Sequence, residues 1–144
     1  MNPWYEQVER FAVKTERFDA SKRFTDGRVG SIANRGVDLG AEKMAALIWG
    51  LEHDNAVVRR CCLEFLDQHP SEQATAAIVG CLDDPVPRVR WHAVHALLCD
   101  ECKPGMSYVT DDVLNQVRRI ADSDPSEKVR AQANYGLKRM AEAG

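Results

Sequence analysis

From Ala41 to the carboxyl end, apolar residues recur three and four positions apart, in runs cut by short polar turns. That spacing is one face of an α-helix, and no stretch alternates as a half-buried strand would. The pattern predicts helices over roughly 41–52, 55–68, 71–82, 86–101, 111–122 and 126–142. Upstream, PWYEQVERFAVKTERF (residues 3–18) predicts one amphipathic helix with Trp4, Val8, Phe11 and Phe18 near one face. Residues 19–40 carry Gly27, Gly30, Gly36 and Gly40 without sustained periodicity, which predicts mostly loop with at most a short helical turn.

The turns carry start signals. Asp84-Pro85 and Asp124-Pro125 offer a side-chain acceptor at the N-cap and a proline at the first helical position. Glu127, three residues after Asp124, suits a capping box. Asp54, Ser71 and Thr110 are the expected caps of three other helices.

The helices repeat. The dipeptide Val-Arg occurs at Val58-Arg59, Val89-Arg90 and Val129-Arg130, at offsets of 31 and then 40 residues. GLEHDNAVVRRCCLEFL lies over CLDDPVPRVRWHAVHAL without a gap, and ADSDPSEKVRAQANYGL follows, the added residues falling around Lys103-Pro104-Gly105. Val58, Val89 and Val129 correspond, as do Cys62, Ala93 and Ala133, and Leu66, Leu97 and Leu137. Such a period marks helix pairs that bury their apolar faces only by stacking on one another.

The pattern Asp-Pro-x-x-x-Val-Arg-x-x-Ala-x-x-x-Leu resembles the second helix of HEAT repeats. DDPVPRVRWHAVHALL and DSDPSEKVRAQANYGLKR match it well, EHDNAVVRRCCLEFLD less so. The resemblance covers residues 41–142, and the short period is similar to that of bacterial and bilin-lyase-related HEAT-like units. It implies an all-α fold, a right-handed α-α superhelix of three helix pairs with an N-terminal capping helix. The expected organisation is one domain over 1–144: a cap over 1–40 and repeats over 41–69, 70–103 and 104–144. First helices would line the convex side and second helices the concave side. By the same resemblance, Arg59, Arg90 and Arg130 would pair with Asp84 and Asp124 in a structural ladder.

Composition narrows the function. With 44% apolar residues the chain can fill a core, and its net charge of −3 argues against a general nucleic-acid binder. The arginines at 59, 60, 88, 90, 118 and 119 make only local basic patches among acidic neighbours. No apolar run is long enough for a membrane helix, and MNPWYEQVERF lacks the layout of a signal peptide. Five cysteines, two of them adjacent, suggest reduced thiols in the cytoplasm.

RWHAVHALLCDEC holds the densest chemistry, with His92, His95, Cys99 and Cys102 on one helical stripe. Ten residues at a 1.5 Å rise span about 15 Å, whereas zinc ligands sit about 2.0–2.3 Å from the ion. One straight helix therefore cannot gather all four, and no metal or other cofactor is expected. Cys99-Asp-Glu-Cys102 falls at a helix C-terminus with two acids between its thiols, where a thiolate is disfavoured. Deoxyhypusine hydroxylases, which are HEAT-repeat enzymes, use His-Glu dipeptides that this chain lacks. HEAT-like alkylpurine glycosylases use a Trp, Asp and Arg groove. Trp91 is similar, but His95 stands where an acid would be needed. No phosphate loop or catalytic triad pattern is present.

The expected function is therefore a non-enzymatic scaffold or adaptor that binds a partner protein on its concave face. Outward positions on the second helices nominate Arg60, Glu64, Trp91, His92, His95, Gln132 and Tyr135, together with Cys61 and Ala131. Glu64, His95 and Tyr135 are expected in one row, and Arg60, Trp91 and Ala131 in another. The alternative is a small lyase-like or metal-dependent enzyme subunit using His92 and His95, with nucleic-acid binding a minor alternative. Neither a membrane nor a small molecule is an expected partner.

Overall fold

A computed structural model of the chain describes residues 2–25, 39–99 and 108–143. The described residues form helices and turns with no strand: α1 (Tyr5–Glu9), α2 (Glu16–Thr25), α3 (Ala41–Gly50), α4 (Ala56–Gln68), α5 (Glu72–Gly80), α6 (Pro87–Leu98), α7 (Asp111–Ser123) and α8 (Glu127–Ala143). Short 3-10 turns follow α1 (Arg10–Ala12) and α5 (Cys81–Asp83). From α3 onward the helices pack in antiparallel-type pairs, α3 on α4, α5 on α6 and α7 on α8, while α4, α6 and α8 pack consecutively side by side. The molecule is an α-α superhelix.

The repeated apolar positions explain the stacking. Val58, Val89 and Val129 are buried, as are Cys62, Ala93 and Ala133, and Leu66 and Leu97. Leu137, on the last helix, is only partly covered. Burying a valine or leucine side chain contributes about 1.5–3 kcal/mol, and each second helix contributes one such column to its neighbour.

A polar ladder runs alongside. Arg59 donates from Nε and Nη2 to the Asp84 carboxylate at 2.8 and 3.1 Å, and from Nη1 to the His53 and Asp54 carbonyls. Arg90 repeats this one unit on, reaching Asp124 at 2.8 and 3.0 Å and the Asp84 carbonyl at 2.8 Å. Each arginine thus ties its own turn to the carboxylate of the next, through a bidentate pair. Burial alone would raise the Asp124 carboxyl pKa. The hydrogen bonds from Arg90 and from the Ser126 N–H outweigh that and hold it below the ordinary value.

The same carboxylates shift the helix starts. Asp84 Oδ1 accepts the Val86 N–H at 2.9 Å, and α6 begins at Pro87, so Pro87 rather than Pro85 takes the first turn. Asp124 Oδ1 accepts the Ser126 N–H, and Ser126 Oγ accepts that of Val129 as the cap. Asp84 and Asp124 therefore shape the turn before the helix instead of capping it. Glu127 stands at the first helical residue, where its charge favours the helix dipole. Asn55, not Asp54, caps α4, accepting the Val57 N–H at 2.8 Å. Ser71 and Thr110 cap α5 and α7 as expected.

The amino-terminal segment departs from a single helix over 3–18. Val13 is extended at φ −95° and ψ 116°, and the chain restarts as α2, which continues to Thr25 through residues expected as loop. The break lets Phe11 and Phe24, from opposite sides of it, both reach Phe65 of α4 at ring separations of 5.3 and 5.4 Å. Trp4 meets Phe24 edge-on at 5.2 Å, and Tyr5 stacks on Trp49 at 4.3 Å. The Phe18 side chain and residues 26–38 lie outside the described set. At Gly50, a Cβ would collide with Cys62 Sγ and lie 2.7 Å from Val8 Cγ1, so only glycine lets α3 sit between α4 and α1.

Candidate functional site

The second helices present one continuous face, and its polar residues are joined across helices. On α4, Arg60 pairs with Glu64 at 3.1 Å, one turn apart. Glu64 in turn lies 3.9 Å from His92 Nε2 on α6. Asp67, buried at the end of α4, meets His95 Nε2 at 3.5 Å, and Gln132 Nε2 of α8 meets His95 Nδ1 at 3.5 Å. One ring nitrogen of His95 thus faces the Asp67 carboxylate and the other the Gln132 amide. Trp91 lies flat on the His95 ring at 5.3 Å and 9° between planes, and edge-on to His92 at 4.9 Å.

The cross-helix contacts are diagonal. Glu64 meets His92 and Asp67 meets His95, each partner standing one turn before the aligned position of the next repeat. His95 meets Gln132 with the same offset. Adjacent second helices are thus staggered by a turn, and the expected rows of aligned residues give way to diagonals. Tyr135 is 55% exposed and shares a hollow of about 220 Å³ with Trp91, His95, Cys99 and Arg139. A larger hollow of about 620 Å³ opens on the other side of Trp91, toward the starts of α6 and α8. Ala131 is exposed.

Cys61 is a correction. It is expected to face outward but is only 3% exposed, because the amino-terminal segment reaches over this part of α4 and brings Arg17 to its thiol. Asp67 is the residue that sequence reasoning misses. It aligns with Leu98, a core position, and no repeated signal distinguishes it.

Burial favours the neutral forms of His92 and of the Cys61, Cys62 and Cys81 thiols. Burial, then the nearby Arg60, His95 and Arg88, push the His92 pKa down to about 4, against a smaller upward effect of Asp67. Burial raises the thiols of Cys61 and Cys62, and raises Cys81 to about 11 with help from Asp84. Cys99 has already left the α6 helix, at ψ 102°, and Cys102 lies outside the described residues. Among the described residues no three His, Cys, Asp or Glu side chains come together to hold a metal. His95 has both ring nitrogens engaged, so neither is available as a base toward Cys99 or Tyr135 in this arrangement.

Stacked helix pairs tied by arginine–aspartate rungs define an α-α repeat protein. The chain belongs to the HEAT-repeat family: the family model for HEAT repeats matches residues 44–138. No curated protein and no solved structure gives a significant match. HEAT repeats commonly serve as protein-interaction scaffolds. No helix among the described residues is long and apolar enough to cross a membrane.

Proposed function

We propose that this protein is a non-enzymatic, cytoplasmic scaffold or adaptor that grips a partner protein with the face of α4, α6 and α8. One domain does this, with residues 1–40 as cap and repeats over 41–69, 70–103 and 104–144. The observation that carries the reading is Trp91. It is a large, half-buried ring between two hollows, fixed on His95, which Asp67 and Gln132 hold in turn. A preorganised aromatic ring loses little entropy on binding, and such anchors dominate interface energies. Arg60, Glu64, His92, His95, Gln132 and Tyr135 surround it as the polar rim.

Replacing Trp91 and Tyr135 together with alanine is expected to abolish capture of the partner from a lysate of the native host, with helical content unchanged by circular dichroism. Persistent capture would remove this face from the function. Protein purified without an affinity tag is expected to carry less than about a tenth of an equivalent of zinc or iron, because a native site would bind tightly enough to copurify. A stoichiometric metal would instead point to a metal-dependent enzyme.

A further inference from the structure

We infer that the segment seated at Trp91 is an acidic stretch of a protein chain, with an apolar or aromatic side chain against the indole and carboxylates toward Arg88 and Lys128. This rests on the proposal that the face binds protein, and it specifies the chemistry of the partner. The larger hollow beside Trp91 is walled by Pro87, Arg88, His92, Ser126 and Lys128. Arg88 and Lys128 are both exposed, and neither has a carboxylate partner among the described residues. Glu64 and Asp67 of α4 are already engaged, by Arg60 and by His95, and Glu127, between Ser126 and Lys128, is not among the residues that wall the hollow. The wall of the hollow thus holds two cations and no acid, on a chain whose net charge is −3.

His92 is neutral near pH 7, so the charge of this wall comes from Arg88 and Lys128. Two cations flanking one aromatic ring suit a short acidic and apolar motif. A nucleic-acid backbone would call for a longer track of cations, one per phosphate neutralised. Charge complementarity of this kind sets specificity and association rate.

The test uses three synthetic peptides: a Glu-rich peptide with a central Phe, and the same peptide with Lys or with Gln at every Glu. They are titrated onto the full ¹⁵N-labelled chain. The Glu peptide is expected to shift the Arg88 and Lys128 amides and the Trp91 indole signal, and to bind about tenfold or more tighter than the Lys peptide. The double variant Arg88→Glu, Lys128→Glu should reverse that order. No binding by the Glu peptide, equal binding of all three, a preference that survives the reversal, or tighter binding of an oligonucleotide at this hollow would each overturn the acidic assignment. Capture of the native partner separates the two proposals. Loss with Trp91→Ala but not with the charge reversal leaves the binding face standing and removes the acidic motif, whereas capture indifferent to both removes both.

Discussion

Equivalent positions on α4 and α6 meet different neighbours. Cys61 and Phe65 of α4 correspond to His92 and Ala96 of α6. On α4 the amino-terminal segment lies over them, so Cys61 is buried and Phe65 stacks on Phe11 and meets Phe24 at a 51° tilt. On α6 the cap does not reach: Trp91 and His92 are half-buried, the larger hollow opens beside both, and the smaller one opens beside Trp91. The Cys61/His92 position is therefore fully buried under the cap in the first repeat and half-buried beside an open hollow in the second, while Ala96 stays as buried as Phe65 by being small. On α8 the position equivalent to Phe65 and Ala96 is Gly136. A Cβ there would lie 2.8–2.9 Å from Leu98, so the helices close up where the side chain vanishes.

The largest test of this contrast is Phe65→Ala. Removing a fully buried ring from an aromatic cluster costs about 3–5 kcal/mol, and chemical denaturation should show that loss. Trp91→Ala, on the open helix, should cost less than half as much while abolishing partner capture. Equal destabilisation by both would mean that Trp91 is core and not an anchor.

The rungs offer a second comparison at equivalent positions. Asp124→Ala would strand the Arg90 guanidinium, whose side chain is 11% exposed, without its carboxylate. Breaking such a buried pair by removing one partner costs about 3–5 kcal/mol. Arg130 stands at the same position in the last repeat but bonds the Asp124 carbonyl, with no carboxylate of a following repeat among the described residues. Arg130→Ala is expected to cost about 1 kcal/mol, the scale of a single hydrogen bond. Thermal unfolding of the two variants should separate them clearly; similar losses would show that the rung carboxylate contributes nothing beyond the turn.

The ladder is legible through the resemblance to HEAT repeats, with arginine at 59, 90 and 130 and aspartate at 84 and 124, and the apolar column is legible from the recurring Val, Ala and Leu. What escaped lies between repeats or outside them. Phe24 sits in a stretch rich in glycine downstream, with no period to reveal its helix. Asp67 has no counterpart in the other copies. The one-turn stagger of the second helices is invisible to alignment, which equates positions in sequence and says nothing of how stacked helices slide. The starts of α6 and α8 fall two residues beyond the expected aspartate caps because Asp84 and Asp124 are held by the rung arginines, and the turn they shape delays the helix.

His92 gives a pH test on the open helix. Its folded pKa of about 4 lies below the ordinary value of 6.5, so the unfolded chain binds the proton more readily. Its effect on stability is absent above pH 6.5, grows as pH falls toward 4, and levels off below, at a loss of about 3 kcal/mol from about 1.4 kcal/mol per unit. The groups facing it are Arg60, Glu64, Asp67, Arg88 and His95. Unfolding midpoints between pH 7 and 4 should fall more steeply for the native chain than for His92→Gln. Parallel slopes would remove His92 as the source of the acid sensitivity.

The smallest expected effect sits at the other end of the face. Tyr135 is 55% exposed and lines the minor hollow without a buried contact to lose. Its replacement by alanine should leave stability within about 0.5 kcal/mol, as for exposed positions generally. Yet it corresponds to Glu64 on α4 and His95 on α6, both tied into cross-helix contacts. If Tyr135 serves the partner, Tyr135→Ala should weaken capture measurably while the unfolding midpoint stays fixed. A shifted midpoint with unchanged capture would make the ring a clamp on α8, and the binding face would then end at Gln132.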